Sequence, residues 1–79
     1  MQELPRAMNE IVRVQRVEYR GRDRLDVRVY FKPLGSEEWR PTRRGVNIAL
    51  ERAADLAAAI IREAGLTVED VQFVLDEEE

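Results

Sequence analysis

The sequence predicts an α+β chain, a four-stranded antiparallel sheet followed by a C-terminal helix (ββββα). Three observations predict it. Apolar and charged residues alternate through residues 24–32, as on a half-buried strand. From Leu50 the apolar spacing switches to that of a helix. Turn-forming residues at Arg20-Gly21 and Pro33–Ser36 cut the stretch before the helix into strand-length pieces.

In chain order, residues 1–10 read as a flexible arm ahead of a domain at 11–66, with an extension at 67–79. Ile11 to Tyr19 is Val-rich but changes phase, Val12 and Val14 sharing one parity and Val17 and Tyr19 the other. A bulge near Gln15-Arg16 is the expected cause. Arg20-Gly21-Arg22-Asp23 suits a hairpin turn. The next strand is the clearest in the chain. Leu25, Val27, Val29 and Phe31 fall on one face, and Arg24, Asp26, Arg28, Tyr30 and Lys32 on the other. A short strand is expected at Glu38-Trp39-Arg40, closed by Pro41. Another starts at Arg44, with Val46 and Ile48 inward and Arg44 and Asn47 outward.

The helix runs from about Leu50 to Ala64 with Gly65 as its stop. Leu50, Ala53, Ala54, Leu56, Ala57, Ile60, Ile61 and Ala64 form a wide apolar stripe. One helix covers one face of a sheet, and this stripe is broader than that contact requires. Packing helix to helix in a symmetric homodimer uses the remainder, so Leu56, Ala57, Ile60 and Ile61 are the expected interface. Thr67-Val68-Glu69-Asp70 favours a short final helix, against the strand propensity of Val71–Leu75. The acidic end, Asp76–Glu79, is expected to fray.

Size points the same way. A chain of 79 residues with no cysteine and no histidine has neither a disulfide nor the commonest metal ligand to supplement a small core. A partner subunit is the obvious supplement. The same two absences leave a nucleophilic triad without parts, and Ser36 stands in a turn with no evident base. Glu51 and Asp55 lie four apart on the helix, as residues on a solvated helix face routinely do. No glycine-rich phosphate loop is present. An enzyme is not expected, and neither a cofactor nor a metal is called for. No signal peptide or membrane span is recognisable, so a cytoplasmic location, nucleoid-associated in a bacterium, is the default.

Net charge is −3, but the charges are segregated. Residues 1–48 carry a net of +4 and residues 49–79 a net of −7. Twelve of the thirteen cations are Arg, and Lys32 is the exception. Four of the five aromatics lie in the basic half, interleaved with cations: Tyr19-Arg20-Gly21-Arg22, Arg28-Val29-Tyr30-Phe31-Lys32 and Trp39-Arg40. Rings that stack on bases, with cations tracking a backbone, are the parts of a single-strand binding surface. Singly, each aromatic reads better as a core or dimer-interface residue, and each Arg equally well as a partner of Glu18, Asp23 or Asp26; the interleaved set as a whole favours the binding surface.

These residues also resemble a family. Tyr19-Arg20-Gly21-Arg22, the strand Leu25–Phe31, and Arg40-Pro41-Thr42-Arg43-Arg44-Gly45-Val46 before a helix are similar to the single-stranded-DNA-binding domain of the positive-cofactor-four transcriptional coactivators. The resemblance spans residues 11–64. It implies a homodimer that binds single-stranded or unwound DNA across the sheet, largely without sequence preference. Stacking positions fall on Tyr19 and Phe31, the latter where the family often has Trp. Cationic positions fall on Arg20, Arg22, Arg28, Arg40, Arg43 and Arg44. Glu10 and Val17 replace expected basic residues, for which Arg13 or Arg16 compensates. The serine-rich arm of the eukaryotic members is absent, as in a compact prokaryote- or phage-type form.

One geometric conflict follows from this assignment. Arg28 and Phe31 differ by an odd number, so a regular strand sends them to opposite faces. Two further readings stay open beside DNA binding in transcription or DNA maintenance. One is RNA as the ligand; the other is a protein-interaction or dimerisation module whose basic face meets an acidic protein, and the transcription machinery is a further candidate partner. The acidic end is either solvated or a competitor of DNA for the basic sheet.

Overall fold

The chain up to Ala49, most of it alternating, folds into an antiparallel meander of order β1-β2-β3-β4. A computed structural model describes residues 1–77. The strands are β1 (Gln2–Ala7), β2 (Glu10–Tyr19), β3 (Arg22–Phe31) and β4 (Arg40–Ala49). A 3₁₀ turn (Leu50–Arg52) leads into helix α1 (Ala53–Ala64), and α2 (Val68–Glu77) follows. The four-stranded sheet followed by helical structure is as expected, but its strands are drawn differently.

The expected loose arm is β1. It pairs with β2 from Gln2↔Val14 to Ala7↔Glu10. Its sequence has no apolar alternation, and hydrogen bonding to β2 orders it instead. Pro5 is tolerated because β1 is an edge strand, which leaves one side of its backbone unpaired.

The bulge expected near Gln15-Arg16 is absent. β2 and β3 stay in one register from Glu10↔Phe31 to Tyr19↔Arg22. The change of phase is instead a change of face: Val12 and Val14 point to one side, Val17 and Tyr19 to the other.

The two short strands expected around Pro41 are one strand, β4. Its irregularity lies between Arg28↔Gly45 and Tyr30↔Pro41, where Thr42, Arg43 and Arg44 together oppose Val29. The Thr42 hydroxyl pins this bulge, donating to the Val29 carbonyl (2.7 Å) and accepting the Arg44 N–H (3.1 Å). Gly45 is required beside it. A Cβ there would stand 2.4 Å from the Val27 carbonyl oxygen and 2.8 Å from the Arg28 Cα.

These registers sort the side chains. One face of the sheet is apolar over its middle, with Leu4, Val12, Val14, Leu25, Val27, Val29, Val46 and Ile48, and carries the Arg16–Asp23 ion pair toward the hairpin tip and Glu10 at the other end. The other is polar, with Arg13, Gln15, Tyr19, Arg22, Arg24, Asp26, Arg28, Tyr30 and Asn47.

Helix α1 does not lie across the sheet as a lid. Its main tertiary contacts are with the 3₁₀ turn. Leu56 and Ile61 are half-buried, while Ala57 and Ile60 are exposed. Gly65 ends α1, its N–H reaching the Arg62 carbonyl. Thr67 then caps α2 as its sequence suggested. The Thr67 hydroxyl accepts the Asp70 N–H (3.2 Å), and the Asp70 carboxylate accepts the Thr67 N–H (2.9 Å). The Thr67 N–H and the Thr67 hydroxyl (3.0 Å), both donating to the Asp70 carboxylate, hold that carboxyl below its ordinary range. Of the acidic end, Asp76 and Glu77 fall within α2, and residues 78–79 lie outside the described residues.

Among the described residues only Tyr30 and Asp26 are buried, and both belong to the polar face. The valine-rich face is half-open to solvent, with Val46 49% exposed.

Candidate nucleic-acid interface

The polar face is built by the β2–β3 hairpin, whose regular register lines up Arg and ring side chains two residues apart. At its tip the chain turns through Arg20 (φ 53°) and Gly21 (φ 76°), both left-handed. Two successive left-handed residues make the two-residue hairpin turn whose twist matches the strands. Tyr19, opposite Arg22, is 59% exposed, and the Arg20 guanidinium lies 5.2 Å from its ring centre. Tyr19, Arg20 and Arg22 therefore form one cluster at the hairpin tip.

Midway along the face the groups are tied together. Arg28 donates to both carboxylate oxygens of Asp26, at 3.0 Å to Oδ1, and to the Thr42 carbonyl (3.0 Å). Asn47 donates to the same carboxylate (3.2 Å) and accepts from Arg24. Burial alone would raise the Asp26 pKa, but the Arg28 and Asn47 hydrogen bonds and the Arg28 charge outweigh it and hold the carboxyl below its ordinary range. Asp26 in turn raises the Arg28 pKa. Arg28 is thus a positioned, partly neutralised cation rather than a free one.

Toward the other end, Arg13 covers the ring of Tyr30 at 4.2 Å while bonding Glu3 at 2.7 Å. Gln15 donates to the Tyr30 hydroxyl (3.0 Å). A cleft of about 490 Å³ runs between these groups, lined by Gln15, Tyr19, Asp26, Arg28, Tyr30 and Asn47 among others. The arrangement holds flat rings and guanidinium groups on a shallow, open surface. It suits an extended anion bearing planar groups.

The remaining sequence-derived residues are elsewhere. Phe31 is at the far end of β3 on the apolar face, 37% exposed, and Arg40 pairs with it. Arg43 is exposed within the bulge. Arg44 is bound to Glu10 at 3.1 Å, and Glu10 also pairs with Arg6. Burial acts to raise the Glu10 pKa, and the Arg44 and Arg6 contacts more than reverse it.

So Tyr19, Arg20 and Arg22 gather at the hairpin tip with Arg28 midway along the same face, whereas Phe31 and Arg40 lie at the far end of β3, and Arg44, in the bulge next to Arg28, is bound to Glu10. The parity conflict between Arg28 and Phe31 persists within one chain, because β3 is regular where the two lie. Sequence reasoning missed Gln15 altogether, and it placed Asn47 outward and Arg13 as a substitute cation without joining either to Tyr19 and Arg28 on one face. Their signal was parity across paired strands, which needs the register that only the β2–β3 and β3–β4 ladders supply.

Comparison with known proteins adds to this geometry. The family model described as Transcriptional Coactivator p15 (PC4) matches residues 8–59. A PC4 homolog from Burkholderia pseudomallei has a similar fold, with a TM-score of 0.74 and 23% identity over 81% of this chain and 93% of that one. A bacteriophage T5 homolog of the eukaryotic coactivator PC4, implicated in recombination-dependent DNA replication, superposes with a TM-score of 0.70. It is 28% identical over 96% of this chain and 92% of that one. No curated protein matches by sequence.

Proposed function

The chain belongs to the transcriptional coactivator p15 (PC4) family, and from that premise we propose that it is a non-catalytic homodimer binding single-stranded or unwound DNA on its polar sheet face. The observation that carries the reading is the Tyr19–Arg20–Arg22 cluster continuing into Arg24, Arg28 and Arg13 on one regular hairpin. Exposed Tyr19 supplies a stacking surface, and the cations follow the direction a phosphate backbone would take. Stacking and charge attract every sequence alike, so the binding is largely sequence-independent. It serves transcription or DNA maintenance.

Area supports the dimer. A compact monomer of 9.2 kDa exposes roughly 4,900 Å², whereas this chain exposes 6677 Å². The excess, on the order of 1,700 Å² per chain, is what an obligate interface of two such subunits would cover. The exposed stripe around Ile60 and the half-open valine face are the surfaces available for it. Phe31 and Arg44 of one chain then meet DNA only if the second chain brings that end of the sheet beside the polar face of the first.

Fluorescence anisotropy with labelled oligonucleotides over a salt series tests the reading. With about five phosphates engaged, log K falls against log salt with a slope near −3.5. A failure to bind at low salt, or equal affinity for duplex, overturns it. Competition with an RNA of the same sequence decides between the two nucleic acids, because stacking alone does not distinguish ribose. No helix among the described residues is long and apolar enough to cross a membrane. A cytoplasmic location, nucleoid-associated in a bacterium, accords with the proposed ligand.

A further inference from the structure

Trp39 is the single tryptophan of the chain and Lys32 its single lysine, and the fold brings them together. The ladder of β3 and β4 ends at Phe31↔Arg40, and Lys32 and Trp39 are the next residues of the two chain segments beyond it. The Lys32 backbone N–H bonds the Asn9 carbonyl (2.9 Å), which keeps Lys32 in line with β3. By the alternation of β3 its side chain then shares the face of Tyr30 and Arg28. Its ammonium lies over the Trp39 ring, 5.2 Å from the centroid.

The polar face therefore carries a ring at each end. Tyr19 stands at the level of Arg22 and Trp39 at the level of Lys32, ten residues of β3 apart, or about 33 Å. Tyr30 lies between them but is 9% exposed, covered by Arg13 and bonded by Gln15, so it has no free surface for a base. Phe31, one residue from Lys32, points to the apolar side.

We infer that Trp39 and Lys32 form a second base-stacking subsite on the polar face, with Trp39 taking a nucleobase of single-stranded DNA and Lys32 its phosphate. This rests on the single-strand-binding reading above and extends it to a position outside the Tyr19 cluster. Trp is the strongest of the aromatic platforms for a cation and offers the largest flat surface to a base. A cation resting on that ring is already placed for the phosphate beside a stacked base.

Lys32 is free to make that exchange in a way Arg28 is not. Its ammonium sits on a flexible stem, whereas the Arg28 guanidinium is bound to Asp26 and the Thr42 carbonyl. Glu37 and Glu38 precede Trp39 and disfavour phosphate on that side of the ring. The subsite thus places the base on Trp39 and the phosphate on the Lys32 side.

Because Trp39 is the only tryptophan, its emission reports on this subsite alone. The test titrates the full chain with a thymidine oligonucleotide at low salt, reading tryptophan emission beside the anisotropy of the labelled strand. The expected result is quenching that saturates together with the anisotropy. Trp39→Leu should weaken binding about tenfold or more, and Trp39→Phe should restore most of the loss. Lys32→Ala should make the salt slope shallower by about 0.7, and Lys32→Arg should not.

Anisotropy that reports binding while emission is unchanged overturns the subsite and leaves the binder reading intact. So does a folded Trp39→Leu protein of wild-type affinity. If Trp39→Leu does not fold, quenching of the wild-type protein and the affinity of Trp39→Phe decide. An absence of anisotropy change overturns the binder reading and the subsite with it.

Discussion

Arg20 is the residue at which folding and the proposed DNA binding make opposite demands. Its φ of 53° is left-handed, a conformation that costs a side chain other than Gly or Asn about 1 kcal/mol. Arg20→Asn should therefore raise stability by about 1 kcal/mol in urea unfolding. It should also weaken oligonucleotide binding, with a salt slope shallower by about 0.7, because the proposed interface loses one phosphate contact. A variant that is more stable and binds as before would remove Arg20 from the interface. Asp26 is informative for the opposite reason, since it acts by holding Arg28. Its folded pKa lies below the unfolded value, as does that of Glu10. The stability these carboxylates contribute is fully present above their unfolded values near pH 4 and is lost as pH falls through the folded ones. Acid unfolding should accordingly steepen below about pH 4, and Asp26→Asn should blunt that dependence.

At the scale of elements, the β4 bulge decides where the cations go. Three residues, Thr42 to Arg44, occupy the space opposite Val29, and the displacement sends Arg44 to Glu10 while Arg28 reaches across to the Thr42 carbonyl. Gly45 permits the close approach of β4 to β3 at this point. Gly45→Ala should cost about 1–3 kcal/mol, since the atoms a Cβ meets are backbone and have little room to move. The same variant should lower DNA affinity by unseating Arg28. Unchanged urea midpoints would show that the ladder relaxes freely. Helix α2 contrasts with this dependence on context. Thr67 and Asp70 form its cap between neighbours in sequence, so the cap is legible without the fold.

The whole molecule is open. Its radius of gyration is 14.3 Å, against roughly 12 Å for a compact domain of this length. With two buried residues among those described, the single chain lacks a core of its own. Folding should therefore be linked to association, and the midpoint of thermal unfolding should rise with protein concentration. Ile60→Glu, at a position 57% exposed in one chain, should give a monomer by sedimentation and abolish cooperative unfolding. A concentration-independent midpoint, or a stably folded Ile60→Glu monomer, would contradict the dimer.

The class of fold, the basic strands against the acidic helices, and the two faces of β3 were legible because each depends on local periodicity. Arg24, Asp26, Arg28 and Tyr30 are two apart on an extended chain, and no tertiary information is needed to put them on one side. The edge strand β1 was not legible, because Gln2–Ala7 is held by the backbone bonds of β2 and carries no apolar pattern of its own. The phase change in β2 has the same lesson in reverse. Val17 and Tyr19 look out of register only if every Val is assumed to seek one side. The sequence alone determined which residue types carry charge and rings, and how they alternate along each strand. Only the ladders, which fix register between distant segments, decided that Arg13, Gln15 and Asn47 join Tyr19 and Arg28, and that Trp39 stands over against Lys32.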